Sequence, residues 1–175
     1  MTKPSPVEVP GEVEIDISIE APAWGDPAPL QRLFERALRE AFAEADLSVV
    51  PGTELSVVLT DDAAIRELNR EWRGKDKPTN VLSFPGGDED EPPFGPLLGD
   101  IVIARETLEH EAEAEKKSFP AHLTHLFIHG LLHLFGYDHQ IEEEAQEMED
   151  AERRILARLG ISDPYAETPL AGDEA

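Results

Sequence analysis

The chain has 175 residues, 40% of them hydrophobic and 30% charged, with no cysteine. That balance excludes a collagen-like, coiled-coil or wholly disordered chain, and the lack of cysteine excludes disulfide frameworks, cysteine-based zinc fingers and thiol nucleophiles. The formal net charge of −23 creates a field that repels nucleic acid and anionic membranes, so charge alone argues against RNA as a partner.

The length suits one domain over residues 1–175, with a core at about 12–160 and loose ends at 1–11 and 163–175 that are rich in proline, glycine and acids. No apolar run reaches the ~18 residues of a membrane span. The first residues carry no apolar signal core, so a cytoplasmic location with no membrane partner is expected.

Along the chain, Val13, Ile15, Ile17 and Ile19 alternate with polar residues, which predicts a strand with one buried face. Leu30, Leu33, Phe34, Leu38, Ala41, Phe42 and Ala45 recur at helical spacing and predict an amphipathic helix. A strand follows at Glu54–Leu59. Thr60 or Asp61 can cap the next helix, whose apolar side is Ile65, Leu68 and Trp72. Strands are expected at Val81–Phe84 and Ile101–Ala104, with a loop over Pro85–Pro96 between them. Helices are expected at Arg105–Lys117, Phe119–Phe135 and Ile141–Leu159, the last with Ala145, Met148, Ile155, Leu156 and Leu159 inward. The order predicts an α+β fold, a mixed sheet of about four strands packed with about five helices.

Five of the six histidines fall between His122 and His139. The run His129-Gly-Leu-Leu-His133-Leu-Phe-Gly136-Tyr-Asp-His139 places two imidazoles four residues apart on one helix face. Gly136 can stop the helix and let the chain turn back, so that His139 supplies a third nitrogen. Three neutral imidazoles suit one Zn²⁺ and leave a fourth position open, the arrangement of a catalytic rather than a structural site. A single histidine on an apolar helix is usually a packed core residue; three around a helix-ending glycine are not readily explained by packing. The spacing matches the H-E-x-x-H-x-x-G-x-x-H pattern of zinc proteases, hence a zincin-like metal helix, but Gly130 stands where the protease has its glutamate base. Peptide hydrolysis is disfavoured on that ground.

The run from His129 to His139 resembles the signature of the YbeY family of bacterial endoribonucleases. So do Leu68-Asn69, the stretch Trp72-Arg73-Gly74-Lys75-Asp76-Lys77-Pro78-Thr79-Asn80-Val81-Leu82-Ser83-Phe84-Pro85, and Leu98-Gly99-Asp100-Ile101. The likeness covers about residues 54–160. It implies a compact α+β fold with one zinc ion on His129, His133 and His139. It also implies cleavage of single-stranded RNA in maturation of the 3′ end of 16S ribosomal RNA and in ribosome quality control, with small-subunit proteins as further partners. Arg73 corresponds to the arginine that the family places near the metal. Asn80 stands where the family commonly has aspartate.

Arg66, Arg70, Arg73, Lys75 and Lys77, less Glu67, Glu71 and Asp76, give one segment a charge of +2. Arg73, Arg70 and Lys75 are the candidate RNA contacts, since a guanidinium can hold two phosphate oxygens and brace charge that develops at phosphorus. Asp100 and Asp138 are candidate proton acceptors; Asp138 could equally orient a ligand, and Asp100 could hydrogen-bond its own backbone. His122 and His125 continue the histidine stripe and are expected to be packing residues, His110 to face solvent. Glu142, Glu143, Glu144, Glu147, Glu149, Asp150 and Glu152 form an acidic run expected to be a solvated helix face. A zinc peptidase or other zinc hydrolase, and a non-catalytic ribosome-assembly factor, are the competing readings.

Overall fold

A computed structural model describes residues 13–45, 47–86, 94–137 and 141–164. The described residues form four strands and five α-helices in the order β1 (Val13–Ile19), α1 (Pro27–Glu44), β2 (Thr53–Thr60), α2 (Asp62–Arg73), β3 (Val81–Pro85), β4 (Leu97–Ala104), α3 (Arg105–Ala114), α4 (Phe119–Leu134) and α5 (Glu142–Arg158), with a 3₁₀ turn at Pro22–Trp24. The expected α+β fold with a mixed four-stranded sheet is thus observed. Strand order is β1-β2-β4-β3. The first three strands run parallel, and β3 pairs antiparallel to β4 at the edge, with Ser83 opposite Ile101 and Phe84 opposite Asp100.

Alternation along the strands separates two faces. Leu55, Val57 and Leu59 of β2 and Ile101 and Ile103 of β4 point to the face covered by α1 and α4, on which α5 packs in turn; Phe34, Phe127, Ile128, Leu131, Ile155 and Leu156 are fully buried in this core. The rings of Phe34 and Phe127 stack 4.6 Å apart and tie α1 to α4. On the opposite face Ile65 and Leu68 of α2 cover Val58, Leu82, Phe84, Val102 and Ala104. Buried apolar side chains of this kind contribute about 1.5–3 kcal/mol each, so α4, the histidine-bearing helix, is fixed by the larger core.

The ends of α4 follow from local chemistry. The Ser118 hydroxyl accepts the Ala121 N–H at 3.1 Å, and Pro120 lies in the first turn where its missing N–H costs nothing. Gly136 adopts φ +96°, a value open to glycine, and turns the chain out of the helix where expected.

Several boundaries move. The strand expected at Ile101 begins at Leu97, because a register shift between Glu54 and Leu55 extends the ladder with β2 past Gly99. The helix expected to reach Lys117 ends at Ala114; Lys116 takes φ +58° and the Lys117 N–H closes back on the Ala112 carbonyl. Asp61, not Thr60, caps α2, its carboxylate accepting the Ala64 N–H. Of the expected loose ends, residues 1–11 lie outside the described residues, as do 165–175, while Asp163 is held by Arg153.

Candidate functional site

His129 and His133 sit one turn apart on α4, ring centroids 4.8 Å apart and planes at 82°. Both are partly exposed, whereas the intervening Gly130, Leu131 and Leu132 are buried. The predicted i, i+4 juxtaposition is therefore present. His139 and Asp138 lie outside the described residues.

A fixed second partner orients the first ring. Nδ1 of His129 lies 2.6 Å from Oε2 of Glu152 on α5, and Nε2 of His125 lies 2.9 Å from Oε1 of the same carboxylate. Glu152 is 0% exposed. Burial pushes its carboxyl up, but the hydrogen bonds from His125 and His129 outweigh burial and hold it well below the usual carboxylate range. Burial acts on His125 in the opposite sense and holds that ring neutral, against the pull of Glu152. An ionised carboxylate only accepts hydrogen bonds. Each histidine nitrogen that faces it therefore carries the proton, and in neutral His129 the lone pair is left on Nε2. A neutral imidazole anchored through Nδ1–H to a buried carboxylate is the donor that a divalent cation takes from histidine. The donor chemistry would suit a zinc ion, and His129 and His133 are the described residues that could help hold one.

Sequence reasoning missed Glu152, which counted as one of a run of solvated acids. It is four residues after Met148 and three before Ile155, both buried, so helical spacing does place it on the inward stripe.

Gly130 faces the sheet. A Cβ built there would stand 3.0 Å from Ile101 Cγ2 and from Ser83 Oγ. The Ser83 hydroxyl donates to the Gly130 carbonyl at 3.1 Å. The position held by a base in zinc proteases thus points away from the histidine pair and into β3 and β4, with no room for a longer side chain.

Arg73, at the end of α2, passes the sheet edge. Its Nη2 donates to the Ser83 carbonyl at 3.4 Å. Ser83 in turn holds Gly130, next to His129, so one edge residue links the guanidinium to the histidine helix. Two other cations of the basic segment are engaged, Arg66 by Asp76 and Arg70 by Glu67. Lys75 and Lys77 are exposed. Buried Asn69 shapes their loop, its amide donating to the Lys77 carbonyl at 2.9 Å and its backbone carbonyl accepting the Lys75 N–H at 3.2 Å. Trp72, expected on the apolar side of α2, is instead 67% exposed, because the helix ends there beyond the reach of the core and Phe84 meets it only ring to ring at 6.1 Å.

The remaining candidates occupy other places. Asp100 is exposed and lies opposite Phe84, on the α2 face of the sheet, whereas α4 covers the other face. Asn80 ties the start of β3 to α3. Its amide donates to both Glu111 carboxylate oxygens at 3.1 and 3.2 Å, and its side-chain carbonyl accepts the Val81 N–H. Glu111 also meets Nε2 of buried His122 at 2.8 Å. His122 and His125 are packed within the fold as expected, and His110 is exposed. Among the described residues no helix is long and apolar enough to cross a membrane.

The sequence matches the family model described as Endoribonuclease YbeY over residues 18–160. It is 52% identical to the Endoribonuclease YbeY of Allorhizobium ampelinum over 165 residues, covering 89% of this chain and 96% of that protein. It is 55% identical to the Endoribonuclease YbeY of Rhodopseudomonas palustris over 153 residues, covering 86% and 80%. The solution structure of TM1509 from Thermotoga maritima shares the fold with a TM-score of 0.53 at 26% identity, covering 90% of this chain and 99% of that one. With the family model spanning most of the chain and relatives above half identity, this protein belongs to the endoribonuclease YbeY family.

Proposed function

We propose that this chain is a zinc-dependent endoribonuclease that cuts single-stranded RNA, acting in maturation of the 3′ end of ribosomal RNA in the small subunit. The observation that carries the reading is the pair His129–His133 with Nδ1 of His129 held by buried Glu152, which leaves Nε2 as donor. His139, beyond the Gly136 turn, is the third ligand in this reading. A bound zinc ion supplies Lewis-acid polarisation of a phosphoryl oxygen and lowers the pKa of water towards about 7. Arg73 holds phosphate oxygens through its planar fork and braces negative charge as it grows at phosphorus. Lys75, exposed in the loop after α2, adds to the attraction for the backbone, which the charge of −23 otherwise opposes, whereas Arg70 is paired with Glu67 and adds little. The names of the relatives support RNA as the substrate.

The contact of Gly130 with the sheet weighs against a peptidase. The test sets zinc-loaded and chelator-treated protein against single-stranded RNA, duplex RNA and casein. Cleavage of the single strand that needs zinc, and its loss together with bound zinc in His133→Ala, are expected. Undiminished cleavage by metal-free protein ends the zinc reading. If His133→Ala co-sediments with small subunits as wild type does and neither protein cuts RNA, the chain is an assembly factor instead.

A further inference from the structure

We propose that Trp72 is a stacking platform for an unpaired base of the RNA strand whose phosphate Arg73 holds. The proposal rests on the endoribonuclease reading and deepens it by naming how the strand is gripped. The two tryptophans of the chain are treated in opposite ways. Trp24 is 5% exposed and donates its indole N–H to the Thr60 carbonyl at 2.9 Å. Trp72 is 67% exposed, and its ring meets Phe84 edge-on. An indole left in water at the end of a helix adds little to the core, so its use lies outside the fold.

The neighbourhood of Trp72 identifies the occupant. Arg73 follows it directly, and the exposed Lys75 and Lys77 stand in the adjoining loop. Aromatic faces set among cations grip single-stranded nucleic acid, because every base offers an apolar face and every linkage a phosphate. An apolar protein partner would instead need a contiguous apolar patch, and Arg70, Glu71, Arg73 and Lys75, the neighbours of Trp72 in sequence, are all charged. The path to the chemistry is short. Phe84, against which Trp72 leans, is next in sequence to Ser83, whose carbonyl meets Arg73 and whose hydroxyl holds Gly130 beside His129. A strand stacked at Trp72 therefore crosses Arg73 on its way over the β3 edge to the histidines. A duplex hides its base faces, so this platform selects unpaired RNA.

The test uses the full chain stripped of metal with chelator, so that RNA is bound and not cut. With Trp24 buried, a change of tryptophan emission on adding a short oligouridylate reports on Trp72, and the anisotropy of a labelled oligomer gives the affinity. Saturable quenching by the single strand and none by a duplex of equal length are expected. Trp72→Ala should weaken binding roughly fivefold to a hundredfold, and Trp72→Phe should recover most of it. In zinc-loaded protein the loss should fall on KM rather than kcat, which a general loss of structure would not produce. Equal affinity of wild type and Trp72→Ala for the oligomer, with RNA still cut, overturns the platform and leaves the nuclease reading standing. Failure of both proteins to bind or cut RNA overturns the two together.

Discussion

The carboxylate of Glu152 lies 2.6 Å from Nδ1 of His129, and this contact fixes which nitrogen of the ring carries the proton. Glu152→Ala removes the acceptor from two rings at once. Hydrogen bonds to a charged group contribute about 1.5–3 kcal/mol each. A loss of about 2–4 kcal/mol in unfolding free energy is expected in metal-free protein, read by urea titration. Glu152→Gln keeps the shape but can present its NH₂ to His129 and favour the wrong tautomer. It should lower zinc affinity about 10- to 100-fold in chelator competition, and ¹⁵N spectra of its His129 should no longer show the Nδ1–H form alone. Zinc affinity equal to wild type would mean that the contact serves packing only.

Gly130 has a separate constraint. Its Cα faces Ile101 and Ser83 so closely that a methyl group would stand at 3.0 Å from both. Alanine gains about 1 kcal/mol over glycine in a helix, yet Ile101 is fully buried and has nowhere to move. Overpacking of this kind costs about 1–3 kcal/mol, so Gly130→Ala should be destabilised by about 1 kcal/mol net. Gly130→Glu, which restores the protease sequence, should lose more than ~3 kcal/mol and acquire no casein hydrolysis, because its carboxylate would enter the sheet rather than the histidine pair. The denaturant midpoint and a casein assay check both statements.

The residues that could be read in the sequence are those whose effect is local. His129 and His133 are joined by one helical turn, and Gly136 ends that helix by its own conformational freedom, so both features follow from short-range spacing. The strands over Val13–Ile19 and Thr53–Thr60 follow from alternation. What was not legible depends on neighbours remote in sequence. Glu152 looks like its acidic companions until α5 is laid against α4, when His125 and His129 become its partners. Trp72 looks like Ile65 and Leu68 until the core is seen to stop short of it. The sheet order, with β4 between β2 and β3, is likewise set by long-range pairing.

The contact between Asn80 and Glu111 predicts a pH-dependent defect. Burial raises the Glu111 carboxyl, but hydrogen bonds from His122 and Asn80 prevail and hold it below its ordinary value of 4.5. A depressed carboxyl contributes stability that is present above the unfolded pKa and lost as pH falls through the folded one. Asn80→Asp would replace the donating amide by a second carboxylate against Glu111. A loss of about 1–2 kcal/mol at pH 7 is expected from one charge-assisted hydrogen bond and the new repulsion. The variant pair should keep a proton to higher pH than the unfolded chain does, so its deficit against wild type should shrink between about pH 7 and 4. Thermal unfolding across that range measures it, and a deficit that grows on acidification would show that Glu111 is not the group facing the new acid.

Arg73 separates chemistry from scaffold. It is exposed and reaches the fold through the long hydrogen bond to Ser83, so its removal should leave stability within about 0.5 kcal/mol. Arg73→Ala should retain zinc and lose RNA turnover by roughly 100-fold or more, the scale of losing one preorganised donor to a growing oxyanion. Arg73→Lys should recover only part of the rate, because an ammonium keeps the charge but not the planar fork that binds two phosphate oxygens. Arg66→Ala is the internal control: that arginine is already engaged by Asp76, and a similar loss of charge there should change turnover little. Zinc content by metal analysis, with cleavage of single-stranded RNA, distinguishes the outcomes. If Arg73→Ala sheds zinc, the arginine supports the edge of the sheet rather than the phosphate; if Arg66→Ala loses as much turnover as Arg73→Ala, the loss reflects overall charge and not a positioned guanidinium.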